Sequence, residues 1–184
     1  MNENEMQKAA FIGHSMGGKT VMTFAENHPE RVTKLIIADI APRAYLPHHD
    51  HIFKALQKTF PEKATSRDQV LEILKSSLGN EDVLIQFLMK SLRREKSGGF
   101  CWKFNVEVLS SAINNITEKI DLTINTLPTL FIYGRQSDYV KETDISEIEE
   151  LYLQLETACL EHSGHWLHAQ EPEEFYTITT EFLS

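Results

Sequence analysis

The chain has 184 residues, of which 41% are hydrophobic and 24% charged, and its formal net charge is −9. These values are typical of one ordinary globular domain, and the acidic balance disfavours a nucleic-acid surface, which needs a basic face. No apolar run approaches the ~18 residues of a membrane span. The first residues lack a secretory pattern, and Cys101 and Cys159 have no CxxC spacing, so we expect a cytoplasmic protein with free thiols.

The first recognisable element is a short apolar run that ends in a serine between glycines. Residues 9–12 read Ala-Ala-Phe-Ile, and residues 13–17 read Gly-His-Ser-Met-Gly. The G-x-S-x-G pattern is typical of the nucleophile elbow of α/β-hydrolases, where a strand turns sharply into a helix and exposes a serine hydroxyl, here that of Ser15. We expect Gly13 and Gly17 to be glycines because side chains there would collide where strand and helix meet. The alternative is an ordinary glycine-rich loop.

Strand and helix patterns alternate at the two ends of the chain. Short apolar runs that do not alternate with polar residues predict strands buried on both faces, at residues 11–12, 35–38, 130–133 and 158–160. Apolar stripes with helical spacing occur at Val21, Phe24 and Ala25, at Ile145, Ile148, Tyr152 and Leu155, and at Phe175, Ile178 and Phe182. This order predicts an α/β fold with a parallel sheet and right-handed crossovers.

Residues 42–126 interrupt this alternation and are predicted to be almost wholly helical. Their apolar stripes are Ile52, Leu56 and Phe60; Val70, Leu74 and Leu78; Leu84, Phe87, Leu88 and Leu92; and Val106, Leu109, Ile113 and Ile116. Four helices exceed what one crossover requires, so we predict a helical cap at 42–126 on a core formed by 1–41 and 127–184. The alternative is that these helices belong to the core layer.

A serine nucleophile needs a base beside it, and the base needs an acid that fixes its tautomer. In α/β-hydrolases the order along the chain is serine, acid, histidine. His165 follows the predicted strand at 158–160 and precedes the last helix, which puts it at the carboxyl edge of the sheet, where such sheets bind ligands. His162 and His168 are alternatives for the base.

Two aspartates fit the order required of the acid. Asp39 ends the predicted strand at 35–38, and Asp138 follows the strand that ends near Gly134. The commoner arrangement puts the acid three residues beyond that glycine, and Ser137 occupies that position. Spacing alone therefore leaves both aspartates open.

Residues 48–51, His-His-Asp-His, have the composition of a metal site. Adjacent residues at the start of a helix cannot all face one ion, so we expect no metal there.

Several segments run in the same order as in bacterial YbfF-type esterases, whose mammalian relatives are the eleventh of the abhydrolase-domain-containing proteins. They are Gly-His-Ser-Met-Gly-Gly-Lys, Ala-Asp-Ile-Ala-Pro, His-His-Asp-His-Ile-Phe, Gln-Phe-Leu-Met-Lys-Ser, Trp-Lys-Phe-Asn and Ser-Gly-His-Trp-Leu-His-Ala. The chain resembles this family over essentially its whole length. The resemblance implies an α/β-hydrolase fold, action on small esters and acyl thioesters such as acyl-CoA, and no metal or organic cofactor.

The resemblance also implies a triad of Ser15, Asp39 and His165, with the acid on the earlier strand. We expect the backbone N–H of Met16, next after the nucleophile, to contact the oxyanion. The remaining candidates are auxiliary residues near the acid and residues that line a substrate pocket: Ser137 and Asp138 for the first role, and His14, Phe100, Trp102 and Trp166 for the second. Aromatic residues spaced like Phe100 and Trp102 are also typical of a cap core.

The family pattern includes strands before the elbow and a His-Gly-type loop that supplies a second oxyanion N–H, and this sequence starts close to the elbow strand. We therefore expect an N-terminally truncated sheet whose exposed edge at the elbow strand favours a homo-oligomer. The alternatives to an ester hydrolase are a truncated, weak or inactive binding domain and an acyltransferase or perhydrolase that uses the same triad.

Overall fold

The computed structural model describes residues 1, 5–46 and 49–184, which form two compact units. One unit comprises Met1–Ala44 and Glu118–Ser184, and the other comprises Tyr45–Thr117. The helical insertion is thus shorter than the predicted 42–126. The reason is that residues after Thr117 bond to the first unit, as when the Ile120 N–H donates to the Pro42 carbonyl at 2.8 Å. Across the described part of the chain, no helix has the length and apolar character that a membrane crossing needs.

Strands and helices alternate at the two ends of the chain, and helices predominate between them. In chain order they are β1 (Ala9–His14), α1 (Met16–Asn27), β2 (Val32–Ala38), α2 (Asp50–Lys58), α3 (Arg67–Leu78), α4 (Asp82–Lys90), β3 (Leu92–Arg94), β4 (Phe100–Trp102), α5 (Val106–Thr117), β5 (Thr129–Gly134), α6 (Glu142–Leu151), β6 (Leu155–Leu160), α7 (Leu167–Gln170) and α8 (Pro172–Leu183). Short 3₁₀ turns occupy Pro29–Arg31 and Pro61–Lys63.

The first unit is built on a parallel sheet with the strand order β1-β2-β5-β6. Strands β2 and β5 lie inside it, and Ile36, Ile37 and Phe131 are fully buried. One face of the sheet packs against α7 and α8, which contribute Leu167, Phe175 and other apolar residues. The predicted parallel sheet with helices is confirmed. The predicted stripe at 145–155 is wrong at its end, because α6 stops at Leu151 and Leu155 begins β6.

The glycines at the β1–α1 turn differ in how closely other atoms approach them. A Cβ at Gly13 would lie 2.3 Å from the carbonyl oxygen of Gly17, and one at Gly18 would lie 2.3 Å from Cγ2 of Ile40. A Cβ at Gly17 would meet no described atom within 4 Å. The expected close approach is therefore found at Gly13, and the expectation for Gly17 is wrong, because the second tight contact falls on Gly18.

The second unit has its own hydrophobic core, formed by helices α2 to α5 and a short hairpin. Val70, Leu74 and Phe100 are among its buried residues. The hairpin pairs β3 with β4 in antiparallel register, so the prediction that this region is almost wholly helical is wrong here. The turn contains Gly98 and Gly99, whose φ values of 97° and 72° suit glycine, and Leu92 belongs to β3 rather than to a helix.

The contrast between Gly13 and Gly17 provides a matched test of the elbow packing. We expect Gly13→Ala to lower the free energy of unfolding by about 2–3 kcal/mol, because the new methyl group must displace backbone. We expect Gly17→Ala to leave the free energy of unfolding unchanged or to raise it by about 0.5–1 kcal/mol, because alanine has a higher helix propensity than glycine. Urea unfolding of both variants measures the difference. Equal losses in the two variants would contradict the packing at the elbow.

Candidate active site

Ser15 lies at the sharp turn between β1 and α1. Its φ is 54°, in the left-handed region that non-glycine residues seldom adopt, as the elbow motif requires. The Ser15 N–H donates to the Ala38 carbonyl at 3.1 Å, and its carbonyl accepts the Lys19 N–H at 3.1 Å. The turn is thus hydrogen-bonded both to the end of β2 and to the first turn of α1. These bonds hold the hydroxyl at the carboxyl edge of the sheet.

Asp39 follows β2 directly, and its side chain is 0% exposed. Its Oδ1 accepts the Gly134 N–H at 3.0 Å, and its Oδ2 accepts hydrogen bonds from the Ser137 hydroxyl and from Nδ1 of His165. A buried carboxylate without donors costs several kcal/mol, so these contacts are what allows the charge at this position. The expected contact between Ser137 and the acid is present.

His165 links the carboxylate to the serine. Its Nδ1 lies 2.8 Å from Oδ2 of Asp39, and its Nε2 lies 2.9 Å from Oγ of Ser15. Because a carboxylate only accepts hydrogen bonds, Nδ1 carries the proton and Nε2 is free to accept the Ser15 hydroxyl proton. The structure therefore brings Ser15, His165 and Asp39 together in hydrogen-bonding order. The side chain of Asp138 is exposed.

The loop that carries His165 is held by hydrogen bonds to Glu171 and by close packing against Gly134. Glu171, between α7 and α8, accepts the His162 N–H at 3.0 Å and the hydroxyl of the fully buried Ser163 at 2.5 Å. A Cβ at Gly134 would lie 2.4 Å from the Ser163 carbonyl oxygen, so only glycine allows this approach. The sequence reasoning missed Glu171, which has no motif of its own. Its position just before Pro172, at the helix start, was the available signal.

His14 and Trp166, both predicted to line a substrate pocket, lie next to His165. The Nε2–H of His14 donates to the main-chain carbonyl of His165 at 2.6 Å, and the two imidazole rings are 4.7 Å apart. The His14 ring also lies 5.6 Å from the indole of Trp166. Burial, and then the nearby His165, lower the pKa of His14 to about 4. His14 is therefore neutral at physiological pH, and its part in binding substrate stays a prediction.

Tyr139 is the nearest neighbour that the sequence reasoning missed. Its ring stacks on the imidazole of His165, with ring centroids 3.7 Å apart and planes 14° apart. Burial, and then the Asp39 charge, raise the pKa of Tyr139 above its ordinary value, so the phenol stays neutral. A tyrosine on a loop after a strand carries no motif, and nothing in the local sequence pattern singles it out.

Two of the residues predicted to line a substrate pocket, Phe100 and Trp102, lie in the second unit. Phe100 is 4% exposed and belongs to that unit's core, and Trp102 stacks on Phe104 with centroids 5.8 Å apart. Their role in substrate binding stays a prediction. Within the predicted histidine run, His48 lies outside the described residues, and His51 pairs with Glu81 at 3.2 Å. No group of three or more metal-ligating side chains is present among the residues that the structure describes.

Comparison with known proteins identifies similar chains by sequence and by structure. A family model for the alpha/beta hydrolase fold matches residues 1–172. The chain is 34% identical to Esterase YbfF of Escherichia coli (strain K12), covering 100% of this chain and 70% of that protein. It is also 34% identical to the sn-1-specific diacylglycerol lipase ABHD11 of Mus musculus, covering 94% of this chain and 58% of that protein.

A solved structure described as a marine microorganism esterase is similar as well, with a TM-score of 0.90 and 36% identity. The match covers 98% of this chain and 72% of that one. The chain therefore spans less than two thirds of the mouse relative and somewhat more of the other two. These matches confirm the predicted resemblance and the predicted fold class.

The low pKa of His14 predicts a specific dependence of stability on pH. The unfolded chain binds a proton on His14 below pH 6.5, whereas the folded chain does so only near pH 4, so the free energy of unfolding falls as the pH drops through this window. We expect His14 to account for about 2 kcal/mol of the loss between pH 7 and pH 5. His14→Gln keeps an N–H donor but does not titrate. Between pH 7 and pH 5 the free energy of unfolding of this variant is therefore expected to fall by about 2 kcal/mol less than that of the unaltered chain.

Urea unfolding at the two pH values measures the difference. His28→Gln is the matched control, because the His28 side chain is 54% exposed. If His14→Gln shows the same pH dependence as the unaltered chain, the buried neutral state of His14 is refuted.

Proposed function

The chain belongs to the α/β-hydrolase fold family, and we propose that it hydrolyses carboxylic esters with Ser15 as nucleophile, His165 as general base and Asp39 as the acid that orients the base. The observation that carries this proposal is the chain of hydrogen bonds from the Ser15 hydroxyl through His165 to the buried Asp39 carboxylate. The names of the similar proteins, esterase and diacylglycerol lipase, support an ester as the substrate.

In the proposed reaction, Ser15 attacks the acyl carbonyl while its proton passes to Nε2 of His165. The imidazolium that forms is stabilised by Asp39 and then protonates the departing alcohol as the ester C–O bond breaks. The acyl group remains on the Ser15 oxygen. Water, deprotonated by His165, attacks this acyl-serine; the bond from the acyl carbon to the Ser15 oxygen breaks, His165 returns the proton to that oxygen, and the carboxylic acid is released.

We propose that the backbone N–H of Met16 stabilises the oxyanion. Met16 is the first residue of α1, and the first N–H groups of a helix have no acceptor within the helix. The helix dipole adds a partial positive charge at this end, next to the nucleophile. Charge that develops on the carbonyl oxygen during the attack therefore lies near a donor that is already oriented.

Acyl thioesters, acyl-CoA included, are a second proposed substrate class, because the same attack on an acyl carbonyl releases a thiol in place of an alcohol. An alcohol or a peroxide that intercepts the acyl-serine in place of water would make the protein an acyltransferase or a perhydrolase. Analysis of the products formed with added alcohol or peroxide separates these reactions.

The nucleophile is tested with a fluorophosphonate probe and with hydrolysis of a p-nitrophenyl ester. We expect the unaltered chain to be labelled and Ser15→Ala to lose labelling, since the probe bonds to an activated serine oxygen. Hydrolysis is expected to fall by about 10³-fold or more. Labelling that persists in Ser15→Ala would refute the proposal.

The two aspartates provide a matched pair for the acid. We expect Asp39→Asn to lower kcat by about 10⁴-fold, because an amide at this position no longer fixes the Nδ1–H tautomer of His165. Asp138→Asn removes an exposed charge one residue beyond Ser137, and we expect less than about twofold change. Steady-state kinetics on the p-nitrophenyl ester compares them. A larger loss in Asp138→Asn than in Asp39→Asn would contradict the assignment of the acid to Asp39.

A further inference from the structure

We propose that Tyr139 is a positioning residue for the general base: its ring holds the imidazole of His165 in line between Asp39 and Ser15 and stabilises the imidazolium that forms during the reaction. This inference rests on the proposed function. It starts from the stacking of the two rings, whose centroids are 3.7 Å apart and whose planes are 14° apart.

The stacking geometry favours the charged form of the base. Two neutral aromatic rings prefer an offset or edge-to-face arrangement over a close face-to-face one, because their like quadrupoles repel. A cation over a ring face is attracted by the same quadrupole. The nearly parallel approach of Tyr139 to His165 is therefore more favourable once His165 has taken the Ser15 proton.

The backbone of Tyr139 is held on both sides, so its ring has a defined position. Its N–H donates to the Ser137 hydroxyl oxygen at 3.1 Å, and its carbonyl accepts from Nη2 of Arg43 at 3.1 Å. Arg43 is itself fixed by Asp144, whose side chain is 4% exposed and lies 3.0 Å from the Arg43 Nε. These hydrogen bonds fix the backbone of Tyr139 and thereby restrict the positions that its ring can take.

The same loop also contacts the acid. The Ser137 hydroxyl, which accepts the Tyr139 N–H, donates its own proton to Asp39. One short segment after β5 therefore supports the carboxylate through Ser137 and the imidazole through Tyr139. A displacement of this segment would move Ser137 and Tyr139 together, and it would therefore disturb both the Asp39 carboxylate and the His165 imidazole.

The groups that face His165 have distinct charges. Asp39 contributes the carboxylate and Ser15 a neutral hydroxyl. His14, from β1, is neutral above pH about 4, and Trp166 contributes an uncharged indole 5.8 Å away. Among the contacts that the described residues make, the imidazolium thus faces the Asp39 carboxylate and the π face of Tyr139. Loss of that face therefore destabilises the imidazolium relative to the neutral imidazole.

The test compares Tyr139→Leu, which keeps apolar bulk and removes the π face, with Tyr139→Phe, which keeps the ring. Ester hydrolysis and the rate of fluorophosphonate labelling are measured from pH 5 to pH 9. We expect Tyr139→Leu to lower kcat about tenfold with KM within about twofold, and to move the acidic limb of the kcat/KM profile to lower pH by about half a unit to one unit. Tyr139→Phe is expected to stay within about twofold, with an unmoved limb.

Two further variants keep the test decisive. Tyr139→Met also lacks a π face and replaces Tyr139→Leu if that variant does not fold. Tyr176→Leu changes a tyrosine on α8 that is 68% exposed, and it is expected to match the unaltered chain. A purely structural role for Tyr139 would lower kcat without moving the acidic limb of the profile.

The outcomes separate this inference from the proposed function. If the unaltered chain is labelled through Ser15 and Tyr139→Leu has the same kcat and acidic limb, the inference is overturned and the hydrolase proposal stands. An equal loss in Tyr139→Phe would assign the effect to the phenol hydroxyl and also overturn it. If the unaltered chain shows no labelling that depends on Ser15, the proposed function fails and the role of Tyr139 fails with it.

Discussion

The carboxylate of Asp39 is fully buried, and three hydrogen-bond donors surround it. The donors come from the end of β5 at Gly134, from the following loop at Ser137 and from the loop after β6 at His165. A charged group removed from water is tolerated only when such contacts replace its hydration. Each of these segments must therefore take one arrangement relative to β2, and the position of the imidazole follows from the burial of the charge.

Backbone strain accompanies this arrangement at two positions. Ser15 and Asp39 both have positive φ, 54° and 51°, a conformation that costs non-glycine residues of the order of 1 kcal/mol or more. Both are bonded to neighbouring strands, since the Ser15 N–H donates to the Ala38 carbonyl and the Asp39 N–H to the Ile132 carbonyl. The parallel sheet thus stabilises two strained turns at its carboxyl edge. Those turns place the Ser15 hydroxyl and the Asp39 carboxylate within hydrogen-bonding distance of the His165 imidazole.

Much of this organisation was predictable from short stretches of sequence. The elbow at Ser15 depends on Gly13, two residues before it, and buried strands appear as apolar runs without alternation, so both can be recognised in short segments of sequence. The hairpin of β3 and β4 was missed because its strands have three residues each, too few to show a period. The glycine assignment at Gly17 failed for a related reason: the pattern shows which residues flank a turn, but only packing shows that Gly18 meets Ile40.

Local pattern and order along the chain were enough to predict the fold class, Ser15 as the nucleophile and His165 as the base, with His162 and His168 as alternatives for the base. Spacing left the acid open, since Asp39 directly follows β2 and Asp138 lies in the loop after β5, and the family resemblance alone favoured Asp39; no motif marked Tyr139 or Glu171. The 2.8 Å contact between Asp39 and the imidazole of His165, 126 residues later in the chain, becomes visible only in the folded protein. The reason is that such contacts depend on which strands are neighbours in the sheet and on the paths of the loops beyond them, which no local pattern specifies.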